Sequence, residues 1–204
     1  MITLSVHEIA SRNILTYLEE GRLIRNAWYN NIDGKEFGCL LYAAAGVSRA
    51  SDCPAELMPL WLAETTPVLY DKLGSTDALE ISRRYGELIG KWHVITDAGW
   101  NRILTRYLVR LIDQALDVTP EIAKNQSYWP AIEKSASDCK RAILAHDKDA
   151  ARAATYAARA AARAADAAAY AAADAARAAA YAAKSLFSAL LDEIELEIAA
   201  ACAS

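Results

Sequence analysis

Past residue 130 the chain has neither a glycine nor a proline: all eight glycines and all five prolines fall in the first 130 of its 204 residues. Every strong turn signal therefore lies there, and nothing in the remainder interrupts a helix. Four cysteines, Cys39, Cys53, Cys139 and Cys202, stand far apart with no C-x-x-C pair. That spacing suits free, reduced thiols better than a disulfide framework. The three histidines, His7, His93 and His146, fall in separate elements with no HxxxH or HExxH, so neither a metal site nor a cofactor is expected. GxxxxGK[ST], GxGxxG and GxSxG are all missing; Gly86-Glu87-Leu88-Ile89-Gly90 fits none of them. No uncharged apolar run reaches the ~18 residues a membrane span needs. The basic start and apolar stretch of an export signal are missing too, so a cytoplasmic location is expected.

Charge of one sign is also scarce. The formal net charge is −4, too mild and of the wrong sign for a general nucleic-acid binder. It is uneven: residues 121–184 carry +3, while Asp192, Glu193, Glu195 and Glu197 make the last twenty residues acidic. Hydrophobic residues make up 54%, but much of that is alanine, which buries little area. The core is expected to rest on Trp28, Trp61, Trp92, Trp100 and Trp129 with the leucines and isoleucines.

What the chain does have is an alanine rod on a schedule. Between Ala150 and Ala183 the exceptions are Arg152, Thr155, Tyr156, Arg159, Arg163, Asp166, Tyr170, Asp174, Arg177 and Tyr181. Thr155 apart, each follows the last by three or four positions, and Lys184 continues the series. At 100° per residue these side chains share a band about 80° wide, and alanine covers the rest. Such an alanine-rich segment favours helix over 149–200 without outside help. Unbroken, it would reach roughly 78 Å, against a diameter near 45 Å for a compact chain of this length. It must overhang, kink, or be covered by a second copy, so a homodimer through the rod is expected.

The N-terminal part reads as short helices joined by turns. Ser5 with Glu8 forms a capping box ahead of Val6, Ile9, Ala10, Ile14, Tyr17 and Leu18, and Gly21 ends that helix. Asp33-Gly34 signals a turn that could close a small hairpin, but alanines 43–45 favour a helix over 36–45. Ser51 to Pro54 reads as a helix cap with proline in the first turn, and Thr66-Pro67 repeats the device before Val68–Leu73, which Gly74 ends. Thr76 caps a helix with Ile81, Tyr85, Leu88, Ile89 and Trp92 on one face. Thr96 or Asp97 starts another, with Trp100, Ile103, Leu104, Tyr107, Leu108, Leu111, Ile112 and Ala115 inward. A helix over 130–145 buries Ile132, Ala136, Cys139 and Ile143, and His146 to Asp149 forms the corner before the rod.

The stripe has three readings. It faces water while the alanines face protein, with Arg163/Asp166 and Asp174/Arg177 as solvated pairs worth a few tenths of a kcal/mol each. On this reading Ser188, Asp192 and Glu195 continue the stripe. Phe187, Leu191, Ile194 and Ile198 turn the other flank against helices 97–116 and 130–145. Alternatively the stripe is a protein-binding surface, since tyrosine and arginine are the usual interface anchors. A nucleic-acid groove is disfavoured by Asp166 and Asp174, which would repel phosphates.

Chemistry elsewhere is thin. His93 reads as a packed or capping histidine, and Glu19, Glu20, Glu64 and Asp71 as solvated carboxylates. The segment Cys53-Pro54-Ala55-Glu56-Leu57-Met58-Pro59, the run Trp61-Leu62-Ala63-Glu64-Thr65-Thr66, Trp92-His93-Val94, Tyr128-Trp129-Pro130 and the rod itself together resemble alanine-rich helical proteins of bacterial, prophage and phage genomes, some described as immunity proteins. The resemblance implies a small protein of a bacterial host cell that neutralises another protein by binding it, as a toxin-immunity partner or a phage anti-defence inhibitor of the anti-CRISPR type.

The expected architecture is all-α: a helical bundle over 1–146 packed on a long alanine-rich helix over 147–204. The expected function is non-enzymatic inhibition by protein contact. Arg152, Tyr156, Arg159, Arg163, Asp166, Tyr170, Asp174, Arg177 and Tyr181 form the binding surface, with no catalytic, metal or cofactor residues. The rivals are a self-assembling phage or prophage accessory protein and a helical enzyme whose pocket the sequence hides.

Overall fold

The computed structural model describes residues 4–117, 124–125, 129–145 and 175–203, the side chains of 115 and 175–183 excepted. Among the described residues are seven α-helices and one two-stranded hairpin, so the chain is mostly all-α. Helix α1 spans Val6–Glu19. The Ser5 hydroxyl accepts from the Glu8 amide at 3.2 Å, and the Glu8 carboxylate accepts from the Ser5 amide at 2.7 Å. This is the reciprocal pairing anticipated from the capping box. The packed face differs from expectation in that His7 is buried with Ala10 and Ile14, whereas Ile9 is exposed.

Asp33-Gly34 closes an antiparallel hairpin between β1 (Tyr29–Ile32) and β2 (Lys35–Gly38). Both turn residues have positive φ, 53° and 78°, the two-residue turn whose twist suits paired strands. The helical reading of 36–45 holds only for α2, Leu40–Ala45. Turn chemistry draws residues 35–38 into a strand before the alanines set the conformation.

Two proline expectations are corrected. Cys53-Pro54 opens no α-helix; a 3-10 turn, Ala50–Asp52, leads to an extended Cys53, and α3 (Leu60–Tyr70) starts after Pro59. Pro67 lies inside α3 instead of starting a helix, where it removes the amide that would bond the Ala63 carbonyl. The Thr65 and Thr66 hydroxyls donate to the Trp61 and Leu62 carbonyls at 2.6 and 2.8 Å. Burial of Leu62, Ala63, Leu69 and Tyr70 carries the helix across the lost bond.

Helix α4, Ser75–Ile89, starts one residue before the expected cap, with Gly74 in that place. Ile81, Tyr85, Leu88 and Ile89 are buried on it, and Trp92 joins them from a 3-10 turn, Trp92–Val94. Helices α1 and α4 approach closely. A Cβ at Gly86 would lie 3.0 Å from both Ile14 Cγ2 and Leu15 Cδ2, so the residue must be small. Helix α5 is Asp97–Asp117, and the Thr96 hydroxyl caps it by accepting from the Gly99 amide at 3.2 Å. Helix α6, Trp129–Leu144, buries Trp129, Ala136, Cys139 and Ala142, while Ile132 and Ile143 are half-buried. Helix α7 is Ala175–Ala203.

The chain forms two compact units, Met1–Ile103 with Ala183–Ser204, and Leu104–Ala182. In the first, Phe187, Leu190, Leu191 and Ile194 of α7 are sealed. Phe187 packs edge-on to Tyr85 with ring centroids 5.9 Å apart. In the second, Lys140 Nζ pairs with Asp113 at 2.5 Å, and burial pushes the Tyr107 phenol up to about 12.

Candidate functional site

Of the expected stripe, Arg152, Tyr156, Arg159, Arg163, Asp166, Tyr170 and Asp174 lie outside the described residues. Arg177 and Tyr181 fall within α7, with side chains outside the description. The same azimuth is described further on, at Lys184, Ser188, Asp192 and Glu195. There the side chains are half-exposed and pair with the chain itself. Lys184 Nζ donates to Asp77 at 2.8 Å and Glu80 at 3.2 Å. Arg84 Nη2 meets Asp192 Oδ1 and Glu195 Oε2, both at 2.7 Å, and Arg84 Nη1 donates to the Ser188 carbonyl at 3.5 Å. The planar guanidinium fork reaches carboxylates on successive turns, which a single ammonium could not bridge equally.

Every one of these partners lies on α4, a helix not among those anticipated as the support for this segment. Residue numbers rise together along the contact, so α4 and this part of α7 run parallel. Hydrogen bonding to Glu195, opposed by burial, raises the Arg84 pKa; hydrogen bonds to Asp77 and Glu80 do the same for Lys184. Arg102 holds Glu197, whose side chain is only 6% exposed. Helix α4 begins at Ser75, and its first charged residue, Asp77, pairs with Lys184.

The first unit also holds a cleft of about 580 Å³ that the sequence did not announce. Its walls carry three indoles, those of Trp61 on α3, Trp92 on the 3-10 turn and Trp100 on α5. Trp100 stands edge-on to both neighbours, at 72° and 6.4 Å from Trp61 and at 83° and 5.4 Å from Trp92. Met58 and Leu57, each 1% exposed, back the cleft. Glu56 and Asp97 are exposed on its lining. The Trp92 indole N–H is buried and has no hydrogen-bond partner among the described residues.

Two histidines expected to be separate meet at this cleft. The rings of His7 and His93 lie 6.1 Å apart. His7 Nε2 is 3.2 Å from the Leu57 carbonyl, and His93 Nδ1 is 3.1 Å from the Gly90 carbonyl. The second contact is the capping role read from the sequence, at the end of α4. Burial lowers the His7 pKa, with the Leu57 carbonyl and the nearby Glu56 opposing and His93 assisting. Helical periodicity alone could not reveal this pairing, because the residues sit in different elements 86 positions apart.

The other sequence-flagged acids have structural roles or stay at the surface. Asp71 Oδ1 accepts from the Asn26 amide at 2.7 Å, and Glu20 pairs with Arg22 at 2.6 Å. Among the described residues no group of three or more His, Cys, Asp or Glu side chains is placed to hold a metal ion. Among the described residues no helix is long and apolar enough to cross a membrane. All four cysteines are unbonded; burial raises the Cys53 thiol to about 11, which makes it a poor nucleophile. Compared with known proteins, the chain matches no family model, no curated protein and no solved structure.

Proposed function

We propose that this protein neutralises another bacterial protein or complex by binding it, without catalysis, through the stripe from Arg152 to Tyr181. One observation supports the reading above the rest. Where the stripe's azimuth is described, from Lys184 onward, its side chains already engage protein, pairing with charged residues of α4. The nine stripe residues precede this segment in sequence and repeat at the same helical spacing. Three tyrosines and four arginines among them supply the side chains that dominate protein interfaces, on a backbone whose alanines let a partner approach closely. The likeness to alanine-rich phage and prophage proteins fits the same role, whether in a toxin-immunity pair or as an anti-defence inhibitor of the anti-CRISPR type.

The test is affinity capture from bacterial lysate with wild type and with the Arg159→Glu/Arg163→Glu double variant. The reading expects a host protein retained by wild type and lost from the variant, with the thermal midpoint of the two proteins nearly equal. Retention of the same protein by both removes the stripe from the account. Capture of nothing but further copies of this chain supports a self-assembling accessory protein instead.

A further inference from the structure

We propose that the aromatic cleft of the first unit binds a methylated ammonium cation, the chemistry of choline or of a trimethylated lysine side chain. The indoles come first. Trp61, Trp92 and Trp100 meet at near right angles, 72° and 83°. Trp61 and Trp100 are half-buried and can border a compact cation on two sides, as aromatic cages do, while Trp92, 1% exposed, closes the corner behind them. Charge comes second. The lining residues include the carboxylates Glu56 and Asp97 and no lysine or arginine. Size comes third. About 580 Å³ is within the range of small-ligand clefts, and Met58 and Leu57 keep its inner side apolar.

Hydration selects the cation. A primary ammonium is compact and strongly hydrated. The carboxylates here are exposed, so screened attraction to them does not repay stripping that water. A quaternary ammonium spreads its charge over methyl groups and has no N–H to satisfy. It enters at small desolvation cost and keeps its attraction to the ring quadrupoles. An anion gains from neither the rings nor the carboxylates. At the start of α5 the Thr96 hydroxyl occupies the Gly99 amide, and Asp97 in the first turn offsets the positive helix end. The cleft's lining shares no residue with the stripe, so failure of either proposal leaves the other standing.

The intact protein is titrated with choline chloride at constant ionic strength, following tryptophan fluorescence and heat. Ethanolamine and the neutral isostere 3,3-dimethylbutanol serve as comparisons. Choline should bind saturably and about 5- to 10-fold more tightly than either. The Glu56→Gln/Asp97→Asn double variant should weaken choline about 2- to 4-fold, with only the small fall in melting temperature that loss of the Asp97 charge at the helix start brings. A trimethyl-lysine peptide run in parallel identifies the source. Tighter binding than choline assigns the cleft to a modified protein side chain, and weaker binding assigns it to a free small molecule. Equal binding of choline and its neutral isostere overturns the proposal, as does the lack of a saturable signal from both choline and the peptide. These comparisons use wild type, so they decide the matter even if Trp61→Ala fails to fold.

Discussion

His7 shows how much a single side chain can report. Its ring is 8% exposed, bonded to the Leu57 carbonyl and set beside His93, with Glu56 the nearby acid. Burial lowers its pKa below the ordinary 6.5, so between the two values the unfolded chain binds more protons than the folded one. Stability contributed by neutral His7 is therefore full above about pH 6.5 and is lost as pH falls through the lowered value. Urea melts taken from pH 7.5 down to 5 should show this fall. The His7→Asn variant should flatten it by no more than one proton's worth, about 1.4 kcal/mol per pH unit. An unchanged slope would show that His7 is not the group responsible. Gly86 makes the opposite kind of point, because there the side chain is what must be missing. Val in place of Gly86 pushes methyls into Ile14 and Leu15 and should cost about 1–3 kcal/mol in urea unfolding. Gly86→Ala should cost less, since helix propensity returns up to about 1 kcal/mol.

At the scale of elements, α7 is held to the first unit by two unlike devices, an apolar row and an ionic row. Phe187 is fully buried against Tyr85, and Phe187→Ala should lower stability by about 3–5 kcal/mol. Arg84→Ala breaks part-exposed pairs with Asp192 and Glu195 and should cost about 1 kcal/mol, less at high salt. Urea melts at two salt concentrations separate the devices, because only the Arg84 effect should shrink. Equal salt dependence would contradict the division.

Local signals were legible wherever one short segment decides the outcome. The Ser5–Glu8 box, the Asp33-Gly34 turn and the buried face of α4 are of this kind; on α5 Ile103 and Tyr107 are buried as expected, whereas Leu111 is exposed. Pro67 misled because tertiary burial and two threonine hydroxyls sustain a helix that local rules would end there. Pairings between distant segments were hidden: His7 with His93, the three indoles with one another, and Arg84 with Asp192 and Glu195. Each depends on how helices dock, and a helix's own periodicity says which face packs without saying against what.

For the whole molecule, the central claim is that a chain with few titratable clusters and one ordered stripe acts by contact. The part of α7 that continues the stripe's azimuth is fastened to α4 by the pairs of Lys184 and Arg84. What lies upstream is available to a partner only if the chain's own core does not cover it. Tyrosine nitration of the protein alone, in dilute solution where light scattering shows monomer, tests this most directly. Each site is quantified by mass spectrometry. The account predicts that Tyr156, Tyr170 and Tyr181 react like freely exposed tyrosines, while Tyr85, buried in the first unit, stays unmodified. If those three prove as unreactive as Tyr85, the stripe belongs to the protein's own interior and the account is contradicted.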